Sequence, residues 1–171
     1  MILSPKLRLA VLLGVLACTV GCDQTSKHIA RATLSQLGAV EFPGGLGEFR
    51  LAENPGSFLS FGASLPESLR VGLFTIGIGA GLLVLLPYLA RSSRLNWLSF
   101  LGLALAWAGG MSNLIDRVTR HGLVTDFVFL RVGPLHTGVF NAADLMIVAG
   151  LVAVLCSLRR GSGNLGPAAS E

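Results

Sequence analysis

Long apolar runs alternate with short polar segments along the chain. Residues 71–90 and 95–115 contain no charged residue, and residues 139–158 contain a single one, Asp144. Each run reaches the length of about 20 residues that crosses a bilayer as a helix. A shorter apolar run, residues 9–22, spans only if it continues to residue 30. The pattern predicts four membrane-spanning helices.

The segment between the first two predicted helices, residues 31–70, has a different pattern. Within it, residues 39–61 place Gly and Pro between alternating apolar positions such as Phe49 and Leu51. This spacing is typical of short strands and turns. We therefore expect an all-α membrane domain over residues 1–160, with a small β-rich cradle between helices 1 and 2. The Gly/Ser/Pro-rich residues 161–171 are expected to form a disordered tail.

Composition supports the membrane class. Of 171 residues, 52% are hydrophobic and 13% are charged, whereas soluble domains carry about a quarter charged residues. The net charge of +4 comes without a basic stripe or interleaved aromatic residues, so no nucleic-acid partner is expected. The three Cys and three His residues lack ligand spacing, so no metal site is expected. No organic cofactor is expected either, because the paired carboxylates discussed below can supply both proton-transfer roles.

Basic residues suggest an orientation in the membrane. Six of them fall in short segments that a four-helix layout places on one side: Lys6, Arg8, Arg91, Arg94, Arg159 and Arg160. The basic residues of the other side lie in longer loops, which influence orientation less. Both termini are therefore expected in the cytoplasm, with the loop 31–70 on the opposite face.

Polar residues collect at the ends of the predicted helices. With four spans, parity alone assigns the following residues to one face of the membrane: Asp23, Asn54, Asn113, Asp116, Arg117, Asp126, Asn141 and Asp144. This conclusion does not depend on which face is cytoplasmic. So many polar groups at one depth indicate a functional site.

Asp144 is the most informative member of this group, because it lies inside an apolar run. A charged Asp at the centre of a membrane costs about 2.5–3.5 kcal/mol on insertion scales. Either Arg117 pairs with a carboxylate or one carboxylate is protonated, since two carboxylates in one low-dielectric pocket do not both ionise easily. A carboxylate pair that shares a proton can catalyse hydrolysis: one takes a proton from water and the other protonates the leaving group.

The polar residues occur in an order that resembles the lipoprotein signal peptidase (signal peptidase II) family. The matching segments are Asp23, Gln24 and Lys27, then NPGSFLS at residues 54–60, GGMSNLIDR at 109–117, VTDF at 124–127 and FNAAD at 140–144. The resemblance covers about residues 9–158. It implies an aspartic endopeptidase of the bacterial inner membrane that removes signal peptides from prolipoproteins, cleaving just before a diacylglyceryl-modified Cys.

The resemblance also implies roles for individual residues. By position, Asp126 and Asp144 match the catalytic pair. The residues that match the family's supporting and substrate-orienting groups are Asp23, Lys27, Asn54, Gly56, Asn113, Arg117 and Asn141. The implied partners are prolipoproteins with a lipid-modified Cys and membrane lipids, and a monomer is expected. The cradle and the active site would lie near the periplasmic face.

The chain departs from the family pattern at a few positions. The family usually carries N-x-G-A-A-F-S where this chain has Ser57 and Leu59, a second Val where it has Thr125, and Leu where it has Ala142. None of these changes removes a catalytic carboxylate. They bear on substrate preference more than on chemistry, and a divergent paralogue with fewer substrates is the nearest alternative.

Structural interpretations of single residues also stay open. Asp116 and Arg117 at a helix end fit a solvated interfacial pair, and Lys27 and Arg31 fit an interfacial basic face. Asn54 before Pro and Gly fits a turn. Asn141 fits the N-cap of the fourth helix.

Two other functional classes are consistent with parts of the sequence. A small proton-coupled transporter would use Asp126 and Asp144 as a relay, but it predicts polar residues through the membrane depth, and the middle of each apolar run has almost none. A lipid-anchored protein cleaved at Cys18 would explain the basic start and short first apolar run. Three further spans after such a signal argue against it.

Overall fold

The computed structural model describes residues 4–57, 59, 61–92 and 95–162. Four helices in this part of the chain are long and apolar enough to cross a membrane. They are α1 (Pro5–Leu37), α2 (Glu67–Arg91), α3 (Trp97–Thr119) and α4 (Ala142–Ser162). Most of the predicted disordered tail, from residue 163 onward, lies outside the described residues.

Helix α1 is longer than its apolar run. It begins at the N-cap Ser4, whose hydroxyl accepts a hydrogen bond from Leu7 N, and is followed by Gly38 at φ 73°, both common helix-end features. Its 33 residues correspond to about 50 Å, whereas the hydrocarbon core of a bilayer is about 30 Å thick. The helix continues past residue 30 into the segment that was predicted as loop. In this extension, Leu34 packs with Phe127 of the sheet.

Helix α3 packs between the other helices, and glycine brings α4 especially close to it. A Cβ atom on Gly102 of α3 would lie 2.6 Å from the carbonyl oxygen of Gly150 on α4. A Cβ atom on Gly109 would lie equally close, 2.6 Å, to the carbonyl oxygen of Ala143. Small residues allow this approach between membrane helices. On α2, in contrast, Leu83 and Val84 are 69% and 73% exposed, as expected of side chains that face lipid.

The polar side of the molecule carries a four-stranded antiparallel sheet in the order β1-β2-β3-β4. Its strands are β1 (Val40–Glu41), β2 (Gly47–Asn54), β3 (Val124–Val132) and β4 (Leu135–His136). The prediction of a cradle between helices 1 and 2 was therefore incomplete, because β3 and β4 come from the segment between α3 and α4. Strand β3 escaped prediction because its first four residues are all buried and do not show the apolar–polar alternation of a half-exposed strand.

Apolar and polar side chains are buried in different parts of the molecule. Leu12, Leu89, Phe100 and Trp107 belong to one apolar cluster between the helices. Most buried polar side chains lie instead where α1, α3 and the start of α4 meet the sheet; they include Asp23, Lys27, Asn54, Asn113, Asp116, Arg117, Asp126, Asn141 and Asp144. The polar residues that parity assigned to one face thus occupy one site.

Candidate active site

Asp144 is fixed in the first turn of α4 by a reciprocal pair of hydrogen bonds. Asn141 accepts a hydrogen bond from Asp144 N at 3.0 Å, and Asp144 Oδ2 accepts one from Asn141 N at 3.3 Å. This is the arrangement of a capping box. The other carboxylate oxygen of Asp144, Oδ1, accepts a hydrogen bond from Asn113 Nδ2 at 2.9 Å. Asn141 thus caps the helix and positions the candidate catalytic carboxylate as well.

Asp126 lies on β3 and is 1% exposed. Its Oδ2 accepts a hydrogen bond from Asn54 Nδ2 at 2.9 Å, and its Oδ1 accepts from Asn141 Nδ2 at 2.7 Å. Antiparallel pairing of β2 with β3 brings Asn54 beside Asp126, because Asn54 is paired with Val124. The carboxylate is therefore held from the sheet on one side and from the start of α4 on the other.

The protonation of Asp126 departs from that of an ordinary aspartate. Burial, reinforced by the nearby carboxylate of Asp144, raises the pKa of Asp126 from 3.8 to about 7. The hydrogen bonds from Asn54 and Asn141 oppose this rise, because they stabilise the ionised form. A large fraction of Asp126 side chains therefore keeps its proton near neutral pH. A protonated carboxyl beside a second carboxylate supplies both an acid and a base.

Both carboxylates line a cavity of about 330 Å³. Its polar end also includes Asn54, Asn113 and Arg117. Its apolar wall comes from α2 and α4 and consists of Ile78, Ile147, Val148 and Leu151. The cavity thus joins an acid–base pair to an apolar surface between membrane helices.

Arg117 holds a loop at the rim of this cavity. Its Nη2 donates to the carbonyl oxygen of Gly56 at 2.7 Å, and Gly56 N donates to Asn54 Oδ1 at 2.8 Å. The turn interpretation of Asn54 is correct, and Asn54 also contacts the carboxylate. Within the described residues, Arg117 forms no ion pair with Asp126 or Asp144 within 4.0 Å. The sequence left two ways to accommodate the buried carboxylates: an ion pair with Arg117, or protonation of one carboxylate. The geometry favours protonation.

A buried ion cluster lies directly behind the carboxylates. Lys27 Nζ is 2.7 Å from Asp23 Oδ2 and 2.9 Å from Asp116 Oδ2, and the exposures of the three side chains are between 0% and 1%. The interpretations of Lys27 as an interfacial base and of Asp116 as a solvated acid were both wrong. The sequence placed Asp116 at the polar face but gave it no role in the site. Its signal was the spacing Asn113, Asp116, Arg117, which puts the three on one helix face.

Arg31 and Thr125 form a further contact that the sequence did not predict. Arg31 Nη1 donates to Thr125 Oγ1 at 2.9 Å, and Thr125 is fully buried. Arg31 is therefore part of the contact between α1 and β3. The Thr found where the family commonly has Val thus has a polar partner.

Every residue assigned to the site from the sequence belongs to one hydrogen-bonded network. Asn113 and Asn141 connect its parts, because Asn113 Oδ1 accepts from both Lys27 Nζ at 2.8 Å and Asn141 Nδ2 at 3.1 Å. Gly56 joins the network through its backbone, and Asp23 joins it through Lys27. Among the described residues, no group of three or more His, Cys, Asp or Glu could hold a metal ion.

Comparison with known proteins gives consistent results. The family model described as signal peptidase (SPase) II matches residues 15–159. A lipoprotein signal peptidase of Streptomyces coelicolor is 35% identical over 161 residues, which cover 90% of this chain and 73% of the relative. A lipoprotein signal peptidase of Xanthomonas euvesicatoria is 33% identical, over 88% of this chain and 86% of the relative.

The fold is also similar to a solved one. A bacterial membrane enzyme determined by the in meso method at 2.3 Å resolution superposes with a TM-score of 0.76 at 22% sequence identity, over 95% of each chain. A second such structure, at 1.9 Å resolution, superposes with a TM-score of 0.73. At this level of identity the similarity concerns the fold. With the four apolar helices, it identifies the chain as a multi-pass membrane protein.

Proposed function

The chain belongs to the signal peptidase II family, and from this premise we propose that it is an aspartic endopeptidase with Asp126 and Asp144 as its catalytic pair. Its substrates are prolipoproteins whose Cys carries a diacylglyceryl group, and it cleaves just before that Cys. The observation that carries the proposal is the bridge made by Asn141, which contacts both buried carboxylates at the wall of one cavity.

The reaction uses one proton shared by the pair. The ionised carboxylate takes a proton from a water molecule, and the water oxygen attacks the scissile carbonyl carbon. The protonated carboxyl then donates its proton to the amide nitrogen as the carbon–nitrogen bond breaks. The raised pKa of Asp126, about 7, supports this sharing. Asn54, Asn113 and Asn141 keep the carboxylate oxygens in place through amide hydrogen bonds.

The apolar wall of the cavity suits a signal peptide. An apolar helix arriving from the bilayer would reach the carboxylates between α2 and α4, along Ile78, Val148 and Leu151. Val148 and Leu151 are 41% and 48% exposed, so this surface is open to a lateral partner. The lipidated Cys would dock near the outer surface, beside the sheet.

We expect the outer loop, residues 31–70, to move when such a substrate enters, because a closed cradle would block lateral entry. Leu59 adopts φ 54°, an uncommon value for a residue with a side chain, and packs against Gly138, where a Cβ would lie 3.1 Å from the leucine side chain. The loop from β2 thus contacts the segment that leads into α4. Strained, tightly packed backbone of this kind is often found next to functional sites.

The site near the sheet belongs to the periplasmic side of the bacterial inner membrane in this proposal, with both termini in the cytoplasm and the enzyme acting as a monomer. The distribution of basic residues in short segments supports this orientation. Ser57 lines the cavity, so its departure from the family pattern bears on substrate choice.

A proton-coupled transporter is less consistent with the packing. A relay needs polar groups through the depth of the membrane. The described core between the helices is instead apolar, with Leu12, Leu89, Phe100, Ala104 and Trp107 among its members. An apolar core of this kind does not supply the polar groups that a relay needs.

The proposed reaction is tested with purified enzyme in detergent and a prolipoprotein in two forms, with and without the diacylglyceryl group on its Cys. Mass analysis of the products identifies the cleaved bond. The proposal predicts cleavage of the lipidated form only, with a product that begins at the modified Cys. Cleavage at another bond, or equal cleavage of both forms, would contradict it.

A further inference from the structure

The buried ion cluster of Asp23, Lys27 and Asp116 joins α1 to α3. The three donors of the Lys27 ammonium have three acceptors: Asp23 Oδ2 at 2.7 Å, Asp116 Oδ2 at 2.9 Å and Asn113 Oδ1 at 2.8 Å. The other oxygen of Asp116, Oδ1, accepts a hydrogen bond from Gln24 Nε2 at 2.9 Å. A buried ion pair is stable only when its hydrogen bonds are satisfied in this way.

Each carboxylate of the cluster also accepts a hydrogen bond from a backbone N–H. Asp23 Oδ1 accepts from Ala143 N at 2.8 Å, and Asp116 Oδ2 accepts from Thr125 N at 3.2 Å. Ala143 directly precedes Asp144, and Thr125 directly precedes Asp126. The cluster thus holds the backbone immediately before each candidate catalytic residue, on two elements that are not adjacent in the chain.

These two contacts are of a strong kind. Ala143 lies in the first turn of α4, where backbone N–H groups have no partner within the helix. A hydrogen bond from a backbone N–H to a carboxylate is about twice as strong as one between neutral groups. Since Lys27 binds both carboxylates, it ties the two backbone contacts to each other.

We propose that Asp23, Lys27 and Asp116 act as one positioning unit that sets the separation and orientation of the catalytic pair. Asp116 fixes the position of β3 at Thr125, and Asp23 fixes that of α4 at Ala143. Lys27 fixes these two points relative to each other. The third donor of Lys27 adds to this function, because it fixes the amide of Asn113, which contacts Asp144. The inference rests on the proposed roles of Asp126 and Asp144.

Amide hydrogen exchange of the full-length protein in detergent tests the unit without any assay of activity. We expect Asp116→Ala to speed exchange at Thr125 about tenfold or more, because its strong acceptor is lost, and to leave Ala143 unchanged. Asp23→Ala should speed exchange at Ala143 and leave Thr125 unchanged. Lys27→Met should speed exchange at both amides, because both carboxylates lose the ammonium that orders them.

A matched control separates positioning from general loss of stability. Ser157 is 5% exposed and lies in another buried hydrogen-bond cluster, where its hydroxyl donates to Asn96 Oδ1 at 2.8 Å. Ser157→Ala should leave exchange at Thr125 and Ala143 as in the native protein. If Asp116→Ala and Asp23→Ala instead speed exchange evenly over all four helices, the cluster is a general stabiliser and the inference is wrong.

Kinetics give a second measurement. A displaced carboxylate lowers kcat, and a misplacement of about 1 Å is enough for about 100-fold, whereas substrate binding along the apolar wall is unaffected. Asp116→Ala should therefore lower kcat at least tenfold with KM changed less than about twofold. Asp116→Asn, which keeps an acceptor for Thr125 N, should recover part of the loss. An equal loss of kcat in the Asn and Ala variants would overturn the inference.

The two proposals fail in different ways. If Asp126→Asn or Asp144→Asn remained active, the catalytic assignment would be wrong, whatever the exchange pattern at Thr125 and Ala143. If those variants are inactive but both single-carboxylate variants exchange like the native protein, only the positioning unit is wrong. Should Lys27→Met not be recovered folded, Asp116→Ala and Asp23→Ala decide the question, since each predicts a change at one amide and none at the other.

Discussion

The side-chain amide of Asn141 lies 2.7 Å from Oδ1 of Asp126. The same residue donates its backbone N–H to Asp144, so one asparagine contacts both candidate catalytic carboxylates. Its position directly before α4 makes this possible, because a helix N-cap directs its side chain and backbone towards the first turn.

Asn141→Ala tests the bridge. The variant loses the donor to Asp126 and the capping acceptor for Asp144 N, so both carboxylates lose orientation. We expect kcat to fall about 100-fold, comparable to the loss of one transition-state hydrogen-bond donor in other enzymes. The capping loss should also cost about 1 kcal/mol of unfolding free energy. Steady-state kinetics together with thermal unfolding in detergent measure the two effects, and native kcat in Asn141→Ala would contradict the bridge.

The raised pKa of Asp126 predicts a pH dependence of stability. Its pKa is about 7 in the folded protein and 3.8 as the ordinary value, so between these values the folded state binds more protons at this group than the unfolded state. The contribution of Asp126 to stability is therefore full at low pH and falls as pH rises towards 7. Melting temperatures of the native protein and Asp126→Asn between pH 4 and 8 check this. The native protein should lose stability relative to the variant as pH rises; a constant difference would contradict the prediction.

The close contact of α3 with α4 predicts that a Gly→Ala substitution is destabilising there but not at an open position. Gly102→Ala puts a Cβ 2.6 Å from the carbonyl oxygen of Gly150, so the helices must separate, at a cost of about 1–3 kcal/mol. At Gly14 nothing lies within 4 Å of an added Cβ, and Gly14→Ala should be neutral or stabilising by up to about 1 kcal/mol. Thermal unfolding of both variants compares them directly. Equal melting temperatures would indicate that this packing is looser than described.

Thr125→Val tests whether the departure from the family pattern has a structural role. The variant removes the acceptor of Arg31 Nη1 but keeps the backbone N–H that contacts Asp116. We expect a loss of about 1 kcal/mol in the free energy of unfolding, with kcat within about twofold of native because the carboxylates keep their partners. A large loss of kcat would show that the hydroxyl of Thr125 takes part in the chemistry.

The sequence predicted the parts of this protein that depend on local pattern. Charge-free runs such as residues 71–90 define membrane helices because any charge there is costly. The ordered motifs around Asn113, Asp126 and Asn141 indicated residues that the structure brings together. Asp144 could be singled out without any motif, since a carboxylate within an apolar run is costly and indicates a function.

Contacts between distant segments could not be predicted in the same way. The i,i+4 spacing of Asp23 and Lys27 is visible in the sequence, but the second acid, Asp116, is on another helix. A surface interpretation of Lys27 was therefore natural. The pairing of β2 with β3 is likewise set by how the two loops meet over the helices, because strand pairing depends on neighbours that the local sequence does not specify.

The account is tested most directly by cleavage of a lipidated prolipoprotein by the native enzyme, Asp126→Asn and Asp144→Asn. Glu48→Gln is the control, because it neutralises an acid of the same sheet that pairs with Arg50 at its surface. With melting behaviour checked for every variant, both aspartate variants should be inactive and Glu48→Gln should cleave at the native rate. Cleavage by a folded Asp126→Asn or Asp144→Asn protein would contradict the assignment of the catalytic pair.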